Sequence, residues 1–252
     1  MTSPFDLTGK RALVTGANTG IGQGIAVSLA QAGAGILAAG RSSMADTAAK
    51  IDATGGRMVA ISADLGDAGA AAEMLDLAWD AHGPIDILVN NAGIIRRADA
   101  VDYAEADWDA VMEINLKAVF MLCQAFGRRA LAGKRRGKII NVASLLSFQG
   151  GIRVAAYTAS KSGVAGITKL LANEWAAKGI NVNAIAPGYI ETNNTEALRN
   201  DPDRSADILK RIPAGRWGRP EDIGGTAVYL ASSAADYVHG TVLAVDGGWL
   251  GR

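Results

Sequence analysis

Short runs of apolar residues alternate with longer amphipathic, alanine-rich stretches from one end of the chain to the other. The apolar runs fall at Arg11–Thr15, Gly35–Ala39, Arg57–Ser62, Ile85–Asn90, Lys138–Ala143, Ile180–Ala186 and Thr241–Val245. Most are continuous and not alternating, the pattern of parallel strands covered by helices on both faces. Helical periodicity fills the gaps, at about Gly20–Ala32, Met44–Ala53, Gly69–Ala81, Glu105–Ala130, Val154–Lys178, Thr195–Lys210 and Glu221–Ser232. This β-α-β-α order predicts an α/β fold, a doubly wound parallel sheet of about seven strands with helices on both faces and right-handed crossovers. No linker, repeat or low-complexity segment interrupts it, so residues 1–252 read as one domain.

Composition narrows the partners. Hydrophobic residues make up 49% of the 252-residue chain and charged ones 20%, enough apolar mass for a substantial core. Twenty-five basic residues balance twenty-five acidic ones, so no charge excess points to nucleic acid or an anionic membrane. Cys123 is alone, which excludes an intramolecular disulfide, and with only His82 and His239 it forms no metal-ligand set. No metal is expected. The N-terminal stretch lacks an apolar segment behind basic residues, and no run of about eighteen apolar residues occurs, so a cytoplasmic protein without a membrane partner is expected.

The chemistry gathers at the ends of the apolar runs, where an open α/β sheet presents its ligand groups. The first run ends in Thr15-Gly16-Ala17-Asn18-Thr19-Gly20-Ile21-Gly22 and leads straight into a helix. Glycines there permit the tight turn, close approach of a pyrophosphate to backbone, and packing of helix on strand, while the helix N-terminus offers unpaired N–H groups. That context predicts dinucleotide binding. The second run ends in Gly40-Arg41-Ser42, without a carboxylate for a ribose 2′-hydroxyl. Arg41 and Ser42 suit a 2′-phosphate instead, or Arg41 is a solvated cation stacking on adenine. Asp64-Leu65 follows the third run, placed for the adenine amino group or for a helix N-cap. The fourth ends in Asn90-Asn91-Ala92-Gly93, small enough for a flat ring to lie against backbone. Asn115, among Ile114, Leu116 and Val119, is either a satisfied core amide or a break in the helix ladder. Pro187-Gly188 closes the sixth run, and the polar, proline-punctuated stretch at about 188–219 reads as a lid.

Ser144 to Lys161 completes the set. Ser144 lies just past the fifth run, and Tyr157 and Lys161, four apart, share one helix face. A tyrosine of pKa about 10 is a poor base at neutral pH. A cation about 4 Å away, at an effective dielectric near 20, stabilises the phenolate by roughly 4 kcal/mol, which lowers that pKa by about three. Ser144 is placed to hold a reacting oxygen by a hydrogen bond that strengthens as charge builds there.

Jointly these motifs resemble those of the short-chain dehydrogenase/reductase family across essentially the whole chain, the Asp246-Gly247-Gly248 tail included. The resemblance implies a Rossmann-like fold, an NAD(P)(H) cofactor and oxidoreductase chemistry on CH–OH groups. It implies that Tyr157 is the general acid/base, that Lys161 tunes it and bonds the nicotinamide ribose, that Ser144 orients the substrate oxygen, and that Asn115 holds a water in a proton relay. Cofactor contacts are expected from Gly16, Asn18, Thr19, Gly20, Ile21, Gly22, Arg41, Asp64, Leu65, Asn91, Ala92, Gly93, Tyr157, Lys161, Pro187, Gly188, Ile190 and Thr192. Family members usually assemble as tetramers, so a homotetramer is expected.

A narrower similarity runs through NNAGIIRR (90–97), SLLSFQGG (144–151), GYIETNNTEALR (188–199), IPAGRWGRPEDIGG (212–225) and VDGGWL (245–250) to the family's sugar-acid dehydrogenases. It implies interconversion of a hydroxyl and a ketone on a deoxy sugar acid: 2-keto-3-deoxygluconate with 4-deoxy-5-hexulose uronate, or 2-deoxygluconate. Such enzymes often take NAD, whereas Arg41 favours NADP. Substrate contacts are expected from Ser144, Leu146, Gln149, Arg153, Tyr157, Arg96 and Asn193, with the carboxylate on Arg153 or on one of Arg96 and Arg97. A 3-oxoacyl carrier reductase shares every catalytic motif but favours a basic surface for its acidic carrier. A metal-dependent polyol dehydrogenase lacks its ligand set here. A nucleotide-sensing scaffold on the same fold has no need of both Tyr157 and Lys161.

Overall fold

In the computed structural model, which describes residues 3–252, each expected strand forms: β1 (Arg11–Thr15), β2 (Gly35–Gly40), β3 (Met58–Ser62), β4 (Ile87–Asn90), β5 (Gly137–Val142), β6 (Ile180–Pro187) and β7 (Val242–Val245). All neighbours pair in parallel, in the order β3-β2-β1-β4-β5-β6-β7. The continuous apolar runs have a direct cause. In β1 and β2, Ala12, Val14, Ile36 and Ala38 enter one core while Leu13, Leu37 and Ala39 enter the other, so both faces of each strand are buried.

The helices are α1 (Gly20–Gln31), α2 (Ala45–Asp52), α3 (Ala68–His82), α4 (Glu105–Met112), α5 (Ala118–Ala132), α6 (Ala155–Trp175), α7 (Glu196–Arg199), α8 (Pro202–Arg211) and α9 (Pro220–Ala231). Ile25 and Leu29 of α1 and Ile223 and Leu230 of α9 fill one core. Leu75 of α3, Phe126 of α5 and Leu171 and Trp175 of α6 fill the other. The span Glu105–Ala132 is the one helix among the described residues long and apolar enough to cross a membrane. In this fold its apolar side is core, with Leu122 and Phe126 essentially inaccessible.

Two predicted helices are interrupted. The expected Glu105–Ala130 helix holds a π turn at Glu113–Lys117, where the Ala118 N–H bonds the Glu113 carbonyl across five residues. Asn115 sits in that turn. The expected Thr195–Lys210 helix divides into α7 and α8, because Pro202 disfavours helical backbone at the residue before it. Asp201 is extended there and caps α8, its carboxylate accepting from the Arg204 N–H (3.1 Å). The lid region has its own small core: Ile208, Ile212, Trp217 and Trp249 gather around Leu145, with Tyr189 edge-on to Trp217 (5.6 Å between ring centroids). It is anchored at both ends, by Gly188 N–H to the Val245 carbonyl and by the Gly218 N–H to the Tyr189 carbonyl (2.9 Å each).

Candidate active site

The strand order reverses between β1 and β4, and there an open α/β sheet leaves a crevice at its carboxyl edge. The crevice is a cleft of about 410 Å³. Its floor is the turn from β1 into α1. Gly16 and Gly20 adopt φ of 63° and 58°, left-handed backbone that side chains beyond glycine rarely tolerate. A Cβ on Gly16 would lie 2.9 Å from Asn91 Nδ2, and one on Gly22 would strike the Gly16 carbonyl. Thr19, extended at the start of α1, makes no side-chain cap, and the first turn holds no acidic residue. The helix therefore offers its first N–H groups and positive dipole end to an anion. A glycine cradle beneath an uncapped helix terminus fits a dinucleotide pyrophosphate.

The loop after β4 is sewn to this turn. The Thr15 hydroxyl accepts from the N–H groups of Asn91 (3.0 Å) and Ala92 (3.1 Å), and the Asn91 amide donates to the carbonyls of Thr15 (3.0 Å) and Gly16 (3.1 Å). Asn115 holds the next residue. Its side chain, fully buried, donates to the Ile94 carbonyl and accepts from the Ile94 N–H, both at 2.8 Å, and reaches Ser160 Oγ at 3.5 Å. Both alternatives for Asn115 are thus realised together: it is a satisfied core amide and it sits where the helix ladder breaks. Its side chain positions the loop.

At the adenine end, Arg41 lies 3.7 Å from Asp64, both largely exposed, and the Asn18 amide donates to Ser42 Oγ at 2.7 Å. Asp64 is not a helix cap. It closes its own turn onto the Gly66 N–H (2.9 Å), and Asp67 caps α3 by accepting from Gly69 and Ala70. Of the expected cofactor contacts, Gly16, Asn18, Thr19, Gly20, Ile21, Arg41, Asp64, Leu65, Asn91, Ala92, Gly93, Tyr157, Lys161 and Thr192 line the cleft. Gly22, Pro187, Gly188 and Ile190 do not. Gly22 is buried under the turn, Pro187 and Gly188 are paired to the end of β7, and Ile190 belongs to the core beside α9. Sequence reasoning missed Gly40, Ala63, Ile94, Ile114 and Val142 in the lining. Position was the only available signal: Gly40, Ala63 and Val142 stand at strand ends, Ile94 in the Asn91 loop and Ile114 beside Asn115.

At the opposite end, α6 presents Tyr157 and Lys161 to the cleft. Ser147 Oγ ties the turn after β5 to α6 through the Lys161 carbonyl (2.7 Å). Burial raises the Tyr157 pKa above its usual 10, while the Ser144 hydroxyl, by hydrogen bonding, and the Arg97 charge pull it down. Lys161 is anchored to the end of β5. Its Nζ donates to the Val142 carbonyl at 2.6 Å and stands 5.6 Å from the Tyr157 ring centroid, and burial brings its pKa down to about 8. The ammonium thus stands beside the phenol ring while held by the end of β5.

The expected substrate residues scatter. Asn193 lines the cleft. Gln149 accepts from the Trp249 indole N–H (3.3 Å), and the Leu146 carbonyl accepts from Ser162 (3.2 Å). Arg96 is paired through Nε with Asp107 (3.3 Å) and Arg153 through Nε with Asp99 (3.1 Å), so each already faces a carboxylate of the chain. No group of three or more His, Cys, Asp or Glu among the described residues could hold a metal ion.

Residues 16–250 match the family model described as enoyl-(acyl carrier protein) reductase. The chain is 57% identical over 248 residues to the 2-dehydro-3-deoxy-D-gluconate 5-dehydrogenase of Dickeya dadantii (strain 3937), covering 98% of each. It is 56% identical over 253 residues to the protein of the same name from Bacillus subtilis (strain 168), covering 98% of this chain and 97% of that one. A crystal structure from Agrobacterium tumefaciens, assigned as a 2-deoxy-D-gluconate 3-dehydrogenase with bound NADP, matches with a TM-score of 0.96 at 63% identity over the full length of both chains.

Proposed function

This chain belongs to the short-chain dehydrogenase/reductase family and is an NAD(P)-dependent oxidoreductase; from that premise we propose that it interconverts a hydroxyl and a ketone on a deoxy sugar acid. The candidate substrates are 2-keto-3-deoxygluconate with its 4-deoxy-5-hexulose uronate partner, and 2-deoxygluconate. The observation that carries this reading is the full-length similarity to sugar-acid dehydrogenases, on a chain whose Tyr157 and Lys161 line the same cleft as the glycine turn.

The nicotinamide, when bound, supplies or accepts the hydride. The chain's own groups handle the oxygen and its proton. In oxidation the Tyr157 oxygen takes the hydroxyl proton, and in reduction it returns one to the carbonyl oxygen. Ser144 donates to that oxygen, with the largest benefit when it carries most charge. Lys161, held on the Val142 carbonyl, is placed to meet a ribose hydroxyl. Gly16, Asn18, Thr19, Gly20 and Ile21 would hold the cofactor's pyrophosphate, and Asn91 to Gly93 would back its ring.

NADP is the preferred cofactor in this reading, because Arg41 and Ser42 occupy the end of β2 where an NAD-selective site carries a carboxylate. Arg41→Asp is expected to lower kcat/KM for NADP by roughly 10- to 100-fold, the worth of a charge-assisted hydrogen bond, and to improve NAD. An unchanged preference would remove Arg41 from the account. The proposal includes one domain for both sites, a cytoplasmic location and a homotetramer. Supporting assembly, Met112, Leu116, Phe120 and Ile167 line an open, mostly apolar groove between the α4–α5 span and α6. Sedimentation should show four chains, and a stable monomer at micromolar concentration would count against it.

A 3-oxoacyl carrier-protein reductase is the competing reading, supported by 41% identity to proteins of that name. Rates with keto-deoxy uronates, deoxygluconates and acetoacetyl thioesters, followed at the reduced-nicotinamide absorbance, decide between them. Sugar acids should be turned over and thioesters should not; the reverse outcome would replace the proposal.

A further inference from the structure

We propose that Arg97 is the carboxylate-binding residue of this site, its guanidinium spanning the β4 loop and the lid to take the acid group of the substrate. The inference rests on the sugar-acid reading above. Four other arginines of the β4 loop, the turn before α6 and the lid are paired with side chains or lie within the lid. Arg96 is held by Asp107 (3.3 Å), Arg153 by Asp99 (3.1 Å), and Arg216 by both oxygens of Asp222 (2.7 and 2.9 Å). Arg199 donates to the Thr192 carbonyl (3.2 Å), with its Nε buried within the lid.

Arg97 has no carboxylate within ion-pair distance among the described residues. Its hydrogen bond runs from Nη2 to the carbonyl of Asn194 (3.2 Å), a residue that lines the cleft with Tyr157 and Lys161. A guanidinium carries five donors in a fixed fork, so one bond to a neutral oxygen leaves a free edge for a planar, bidentate anion. The backbone beneath it is fixed from both sides. Asn115 grips Ile94, and the Ala98 N–H donates to the carbonyl of Arg153 (3.1 Å), a residue held at φ 63°. Arg96 and Arg153 each face a carboxylate of the chain, whereas Arg97 is bonded to the carbonyl of the cleft-lining Asn194. Its charge reaches the Tyr157 phenol, as required if the reacting carbon lies a few bonds from the carboxylate.

The test compares 2-deoxy-D-gluconate with its amide, which keeps every hydroxyl but not the charge, on the full-length enzyme at saturating NADP. The wild type should favour the acid by roughly 10- to 100-fold in kcat/KM, and Arg97→Met should bring that ratio to within about threefold of one, mainly through KM. Any effect of Arg97 on the phenol acts on both compounds and cancels in the ratio. Arg97→Lys should restore part of the preference, since the charge returns without the fork. A wild-type melting transition certifies that each variant is folded. An acid preference that survives Arg97→Met, or that is lost in Arg199→Met instead, overturns the assignment while leaving the substrate reading intact. A wild type that oxidises neither compound nor reduces any keto-deoxy acid overturns the substrate reading, and Arg97's role with it.

Discussion

Tyr157→Phe is expected to lower kcat by roughly 10²- to 10⁴-fold, the usual worth of a positioned acid/base, while NADP affinity and thermal stability stay near wild type. The substitution removes one oxygen and keeps the ring that lines the cleft between Lys161 and the β4 loop. The phenol's partner is Ser144, whose hydroxyl also accepts from the Leu146 N–H (3.2 Å), so Ser144 is not orphaned by the change. No other group in the cleft replaces the lost proton carrier: Lys161 is tied to a carbonyl and Asn115 to a backbone. Steady-state kinetics with a nicotinamide-binding titration separates the two parameters. Substantial turnover by the Phe variant would end the assignment of Tyr157.

Lys161→Met is expected to cost orders of magnitude in kcat and, in contrast, to change the pH dependence of stability. Lys161 is 5% exposed, and its pKa falls from 10.5 to about 8 because burial disfavours the charged form. The unfolded chain keeps this proton up to its ordinary value, and the folded chain releases it above about 8. Below pH 8 both states are protonated and the full burial penalty stands. Between pH 8 and 10.5 the unfolded state binds more protons, so folding stability contributed by this group rises with pH. The span corresponds to about 3 kcal/mol. Urea unfolding of wild type and variant at pH 7 and pH 10 should show wild type gaining on the variant by that order. A flat difference would show that the ammonium is not buried as the structure has it.

The sheet and the glycine turn were legible in the sequence because each rests on local pattern. A strand buried on both faces must be apolar throughout, and a turn at φ near +60° requires glycine at 16 and 20. Tyr157 and Lys161 were legible for the same reason, since helical spacing alone puts them on one face. What depended on pairing across the fold was not. Three arginines in or near the same motifs looked equivalent in sequence, and Asp99 from the loop before α4 and Asp107 from α4 itself pair with two of them. The Lys161 rotamer was equally hidden, because the Val142 carbonyl that captures it belongs to the end of β5. Asn115 could be read as a core amide or a ladder break, and only the π turn shows that one residue serves as both.

The account makes the cleft between Gly16 and Tyr157 a place where hydrogen passes directly between a sugar-acid carbon and nicotinamide, while Tyr157 handles only the exchangeable proton. The most direct measurement uses 2-deoxygluconate carrying deuterium on the carbon that bears the reacting hydroxyl, incubated with the enzyme and NADP and analysed by mass spectrometry. One deuterium per turnover should be recovered in the reduced nicotinamide. Reduced nicotinamide free of deuterium, or no reduction with this or any keto-deoxy acid in the reverse direction, would contradict it.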